Sequence, residues 1–256
     1  MTADIDETTV VRDIVVEHPE TRPVLERHGI DYCCGGESAL GEAAAEQEVE
    51  LDAVVADIQQ TIRASQESGQ PRRDWSKESL TDLIGYVEST HHGYLRAQLP
   101  RLDSLFGRVL EAHGERHGDV LRPLYAVFWG LRAEMEQHLM KEEQMLFPYL
   151  RHLDAAARED GPRPQFPCGH VGGPIAQMRH EHENAGQALA KCRELTGDYT
   201  LPDDACESFS ALYDGLQALE ADLHEHIHLE NNILFPRALA LAPEPAAGAR
   251  GACGGS

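Results

Sequence analysis

The sequence predicts an all-α protein, a four-helix bundle preceded by a small helical unit, and three observations predict it. Apolar residues recur at intervals of three and four through most of the chain, and no run alternates with the period of two that marks a half-buried strand. A pattern of His, Glu, Phe and Pro occurs twice in the second half, which is the signature of a duplicated helical hairpin. Stretches dense in Gly and Pro fall between the periodic runs, where loops belong.

Residues 1–65 read as a small helical domain. Thr9 to Ile30 carries apolar residues at helical spacing, interrupted at Pro19, and the pattern resumes from Leu51 to Ile62. Between these runs lies Asp31-Tyr-Cys-Cys-Gly-Gly36, where the two glycines are expected to take backbone angles that other residues avoid. The polar stretch 66–75 is a linker. Residues 76–240 then hold four longer helices, at roughly 76–112, 118–153, 174–196 and 203–240, with Pro100 and Pro148 expected to kink or end the first two. The Gly- and Pro-rich tail, 241–256, reads as disordered.

With 44 acidic against 22 basic residues the formal charge is −22. Nucleic acid and anionic membranes are bound mainly through Lys and Arg, so neither is an expected partner, and cations are. No run approaches the ~20 apolar residues of a membrane span. The acidic N-terminus lacks the layout of a signal peptide, which makes the cytoplasm the expected location. Six cysteines do not suggest a disulfide scaffold in a chain of this length. The 14 histidines are more informative, because of where they stand.

His138-Leu-Met-Lys-Glu142-Glu-Gln-Met-Leu-Phe147-Pro148 aligns with His226-Ile-His-Leu-Glu230-Asn-Asn-Ile-Leu-Phe235-Pro236, both reading H-x3-E-x4-F-P. Residues four apart share a helix face, so each motif sets an imidazole beside a carboxylate. His138 shares its stripe with Leu131, Met135 and Met145, and His226 with Leu219, Leu223 and Ile233, so both pairs point inward. A buried carboxylate needs a counter-charge, and a shared metal centre supplies one. His92 precedes His138 by 46 residues and His182 precedes His226 by 44, which gives each repeat a histidine in its first helix. The expected ligands are therefore His92, His138, Glu142, His182, His226 and Glu230. Each carboxylate would bridge two metals, leaving room for a bridging oxide and an exchangeable position. Imidazole with carboxylate suits iron, while structural zinc favours thiolates.

The neighbours His91 and His180 are the competing candidates, and the repeat register prefers His92 and His182. His224 and His228 fall on the face opposite His226, with Gln217, Glu220 and Asn231, which reads as solvated. Glu134 and Asp222, one turn before the ligand histidines, are candidates to hold an imidazole N–H from behind. Cys33 and Cys34 cannot form an unstrained disulfide, because adjacent Cα atoms are ~3.8 Å apart. They read as a thiol pair for redox chemistry or for transfer of iron or nitric oxide, against a reading as two structural thiols.

At His28-Gly-Ile-Asp-Tyr-Cys-Cys-Gly-Gly36 and at His226-x3-Glu230-Asn-Asn-Ile-Leu-Phe-Pro-Arg-Ala-Leu239 the chain resembles the iron–sulfur cluster repair di-iron proteins, a hemerythrin-like family. The resemblance implies a hemerythrin-like bundle with two non-haem irons, oxo-bridged, on the six residues named above. It also implies repair of iron–sulfur clusters damaged by oxidative or nitrosative stress, by iron donation or reaction with nitric oxide. The implied partners are damaged iron–sulfur proteins and small diatomic ligands such as nitric oxide, and a homodimer is left open. Gly186 stands where oxygen-carrying hemerythrins place a further histidine, which argues against reversible oxygen carriage. The chain reads more as a metal-binding repair protein than as an enzyme with defined turnover, and no catalytic residue is assigned. Two alternatives are a di-iron enzyme reducing nitric oxide, oxygen or peroxide, and a gas or redox sensor.

Overall fold

The computed structural model describes residues 5–68, 73–167 and 169–243, and among them there is no strand, only isolated bridges at Val10–Ala39 and Phe166–Gly169. The tail from 244 onward, the centre of the expected linker (69–72) and Cys168 lie outside the described residues. Contacts divide the chain into two units, one of residues 1–79 with 227–236 and one of 80–226 with 237–256.

In the first unit α1 (Val11–Glu17) stops before Pro19, a short 3₁₀ turn spans Pro19–Thr21, and α2 (Arg22–Arg27) restarts with Pro23 in its first turn. Proline is tolerated there because the first N–H groups of a helix have no partner within it. Helices α3 (Leu40–Glu46) and α4 (Leu51–Ser68) follow, and α4 buries Val54, Ile58 and Ile62, one residue per turn. These pack with Val11, Ile14, Val15, Leu25 and Leu40 into the unit's core. Each such side chain stabilises the fold by about 1.5–3 kcal/mol.

The second unit begins with α5 (Leu80–Val87), and its N-terminus is capped from another helix. The buried carboxylate of Asp154 accepts the Leu80 N–H at 3.4 Å, the Thr81 N–H at 3.2 Å and the Thr81 hydroxyl at 2.7 Å. A π-helical turn, Glu88–His92, leads into α6 (Gly93–His113), and α7 (Gly118–Lys141) runs through a second π turn, Glu142–Leu146, into α8 (Phe147–Arg158). Helix α9 (Gly172–Thr196) ends at Gly197, whose φ of +56° is the left-handed conformation that glycine adopts at least cost. Last, α10 (Glu207–His228) passes through a third π turn, Leu229–Leu234, into α11 (Phe235–Leu241).

Four long helical rods thus stand where the periodicity placed them. Pro100 does not end its helix: it lies exposed inside α6, where water can take up the carbonyl its ring leaves unpaired. Pro148 falls in the first turn of α8, directly after a π turn.

Candidate metal centre

The three π turns coincide with three of the expected ligands. His92 closes the first, Glu142 opens the second, and Glu230 lies in the third. The repeated motif explains two of them. In each copy the phenylalanine N–H donates to the carbonyl of the glutamate five residues back, Phe147 to Glu142 and Phe235 to Glu230. The proline that follows has no N–H to continue an α ladder, and in both copies E-x4-F-P coincides with a π turn. Such bulges concentrate at functional sites because they re-aim the side chains around them. One consequence departs from the sequence expectation. The wider turn moves Met145 out of the inward stripe to 58% exposure, and Leu146 is buried in its place.

His92, His138, Glu142, His182, His226 and Glu230 are each at most 1% exposed. They fall into two groups whose ligand atoms lie within 4.8 Å of one another: His92, Glu142, His226 and Glu230, and His138, Glu142, His182 and Glu230. Both carboxylates belong to both groups. One Glu142 oxygen lies 3.4 Å from the Nε2 atoms of both His92 and His138.

Behind these imidazoles stand carboxylates that spacing along one helix did not reveal. Glu143 accepts from His92 Nδ1 at 2.7 Å and is bound by Arg96 at 2.6 Å. Glu181 accepts from His138 Nδ1 at 2.9 Å, with Lys141 and Gln177 as further donors. Burial pushes the Glu181 carboxyl up, but the bonds from His138, Lys141 and Gln177 outweigh it and hold the pKa at about 2. Burial is likewise outweighed at Glu143, by Arg96 and His92, and its pKa is lowered. With an ionised carboxylate on Nδ1, each ring keeps its proton there and turns the Nε2 lone pair toward the site.

Glu134, expected in this role, is exposed on the outside of α7. Asp222 does bind a histidine, at 2.9 Å, but the ring is His91 rather than His226. His91 is buried, lies parallel to His226 with 5.5 Å between ring centroids, and is outside both groups. His180 is 63% exposed and pairs with Glu183. His228 departs from its expected solvated face: it is buried, edge-on to Tyr32, and accepts at Nδ1 from Asn232 at 2.9 Å. Burial, with Arg22 nearby, depresses its pKa to about 3. Glu220 and Asn231 on that face are buried too; Glu220 is held by Arg193 and the Tyr199 hydroxyl.

The residues present fit a cation. The Nε2 atoms of His138 and His182 face each other at 3.1 Å, with His138 turning its other ring nitrogen to Glu181. Two fully buried carboxylates in one cluster would each cost several kcal/mol without positive charge between them. Nitrogen and oxygen donors in this ratio suit iron.

The Cys33–Cys34 loop is built around Asp31, whose carboxylate accepts the N–H groups of Cys33, Cys34 and Gly35 at 2.8–2.9 Å. Both cysteines are free, with Cys33 buried and Cys34 half-buried. Neither glycine of the loop takes a positive φ. Gly36 is needed for close approach instead, since a Cβ there would lie 2.6 Å from the Tyr32 carbonyl. The side chains of Asn231 and Asn232 donate to the carbonyls of Cys33 and Tyr32 at 3.1 and 2.9 Å. Hydrogen bonding to Cys34, then burial, raises the Cys33 thiol well above its ordinary range. Asp31, Cys33 and Cys34 also form a group able to hold a metal ion.

Residues 83–238 match the hemerythrin HHE cation binding domain, and residues 7–61 match a domain of unknown function, DUF542. Over 226 residues the chain is 36% identical to the iron-sulfur cluster repair protein YtfE of Yersinia pseudotuberculosis serotype IB (strain PB1/+), covering 88% of this chain and 94% of that protein. The same identity and coverage relate it to proteins of that name from Yersinia pestis (strain Pestoides F) and Yersinia pestis bv. Antiqua (strain Angola). By fold and donor set the chain is hemerythrin-like, and it belongs to the family of iron-sulfur cluster repair proteins named YtfE. A hemerythrin domain implies iron binding, and buried His and Glu groups able to hold a metal are present. No helix among the described residues is long and apolar enough to cross a membrane.

Proposed function

We propose that this chain repairs damaged iron–sulfur clusters in the cytoplasm, and that it holds two irons on His92, His138, Glu142, His182, His226 and Glu230. The observation that carries the reading is the pair of buried groups with both carboxylates in common. A chain built for one ion would need four donors, whereas six donors arranged as two overlapping sets of four would hold two ions that share Glu142 and Glu230. The names of the Yersinia relatives supply the repair role.

Bound there, the iron pair supplies redox and Lewis-acid chemistry and an exchangeable store of ferrous ion. The chain's own residues set how readily that store is used. Glu143 and Glu181 fix the rings of His92 and His138, and Phe147 lies over His92 with 5.6 Å between ring centroids. A cleft of about 320 Å³ between α6 and α7, lined by Leu95, Arg96, Leu99, Leu139, Met140 and Glu143, reaches the half-exposed ion pair behind His92. Cys33 and Cys34 take part in transfer. Their loop is tied to Asn231, the residue after Glu230, and a metal binding there would displace the thiol proton that the surroundings now retain.

The test is anaerobic incubation of iron-loaded protein with a cluster enzyme damaged by nitric oxide or peroxide. Recovery of that enzyme, with iron leaving this chain in proportion, supports the reading. Loaded protein that restores nothing and keeps its iron would refute it. Sustained turnover of nitric oxide or peroxide with a reductant would favour the enzyme alternative.

A further inference from the structure

We infer that the turn joining α6 to α7 carries a separate site for a late divalent transition ion such as zinc, made by His113, His117 and Asp204. Three segments deliver these side chains: the last residue of α6, the residue before α7, and the stretch that precedes α10. Their ligand atoms lie within 4.8 Å of one another. Donors around a tetrahedral zinc stand about 3.3 Å apart when each bond is about 2.0 Å, so modest side-chain movement closes the set.

The geometry is prepared for this. His117 Nε2 lies 2.7 Å from Asp204 Oδ1, and Arg116 holds the other carboxylate oxygen at 3.0 Å, which orients Oδ1 toward the rings. Phe209 stands roughly perpendicular to both imidazoles, with ring centroids 5.3 Å from His113 and 5.9 Å from His117. The hydrogen bonds of His117 and then Arg116 keep the Asp204 carboxyl below its usual range, so it is ionised at neutral pH. Two imidazoles and one carboxylate suit zinc, nickel or cobalt and are poor ligands for magnesium or calcium. Because His113 and His117 are half-buried and Asp204 is exposed, water can take the fourth position.

A simple clasp between His117 and Asp204 would explain one contact and leave His113 only its packing on Phe209. Among the described residues the His113 ring makes no hydrogen bond, yet it is turned to within ligand distance of the pair. His113 is therefore the residue that separates a metal site from an ion pair.

The experiment titrates the iron-loaded full chain with zinc against a chromophoric zinc indicator, and reads iron content in parallel. At least one zinc per chain beyond the iron is expected, at micromolar affinity, with iron retained, and the His113 variant should bind one fewer. Replacing either His113 or His117 by Ala should weaken this binding at least about tenfold, and the conservative Asp204→Asn should weaken it too. Zinc-edge X-ray absorption of the wild-type complex should show two imidazole ligands, which is independent of how well any variant folds. The inference is overturned if no additional zinc binds, if zinc binds only by displacing iron, if His113→Ala binds as tightly as wild type, or if the zinc has fewer than two imidazoles.

Discussion

Replacing Glu181 by Ala should weaken iron binding without touching a residue of the proposed ligand set. Glu181 accepts from His138 Nδ1 at 2.9 Å and is held in turn by Lys141 and by Gln177, also at 2.9 Å. Its carboxyl pKa of about 2 keeps it charged at every pH at which the protein would be handled. Loss of a carboxylate behind a metal-binding imidazole typically lowers affinity by about ten- to a hundredfold, or about 1.4–2.7 kcal/mol. Two contributions add here: His138 is freed to rotate or change tautomer, and the negative charge facing its Nδ1–H is removed. Glu181→Gln keeps an acceptor and loses the charge, so it should fall between Ala and wild type. Competition with a ferrous chelator reads the affinity, and Glu134→Ala, on the exposed face of α7, is the control that should change nothing. If Glu181→Ala held iron as tightly as wild type, or if the Glu134 variant lost as much, the assignment of Glu181 would be wrong.

Other outcomes follow from the same contacts. Asn231→Ala and Asn232→Ala each remove a donor to the Cys33–Cys34 loop, at about 1–3 kcal/mol for the carbonyl left behind. Faster alkylation of Cys33 in these variants checks it, and unchanged protection would show the loop is held some other way. In the wild type, exposed Cys206 should alkylate before Cys33. Because the Cys33 pKa is raised, its thiolate is scarce at pH 7–8, and its rate should climb only above an ordinary thiol pKa of about 8.5. A Cys33 that reacted fully at neutral pH would contradict the burial and hydrogen bonding described. Phe106→Ala empties a site in α6 packed against the rings of Tyr125 and Phe128, and should cost about 3–5 kcal/mol in denaturant unfolding.

Much of this was legible in the sequence because helix periodicity and a duplicated motif are local signals. Spacing alone set His138 beside Glu142 and His226 beside Glu230, and the repeat register preferred His92 and His182 over His91 and His180. What the spacing missed is of two kinds. A π turn inserts a residue without any change of composition, so spacing places Met145 on the inward stripe that Leu146 in fact occupies. The E-x4-F-P pattern accompanies two of the three π turns, but a proline alone is no sign of one, since Pro100 sits inside α6. Contacts between helices are the second kind. Nothing near His92 in sequence points to Glu143, or near His138 to Glu181, and Asp222 finds His91 across the bundle. His228 looked solvated because one face of its own helix is polar, yet Tyr32 and Asn232 cover it.

The central claim is that Glu142 and Glu230 serve two metal ions together. The most direct test is iron per chain, by elemental analysis, in protein expressed with ample iron and purified without oxygen. The wild type should hold two irons, one for each buried donor group. Because each carboxylate belongs to both groups, Glu142→Ala and Glu230→Ala should each lose much of the iron and the visible absorption of the pair together. One iron in the wild type, or a Glu142 or Glu230 variant that keeps its full iron content, would contradict the shared-carboxylate account.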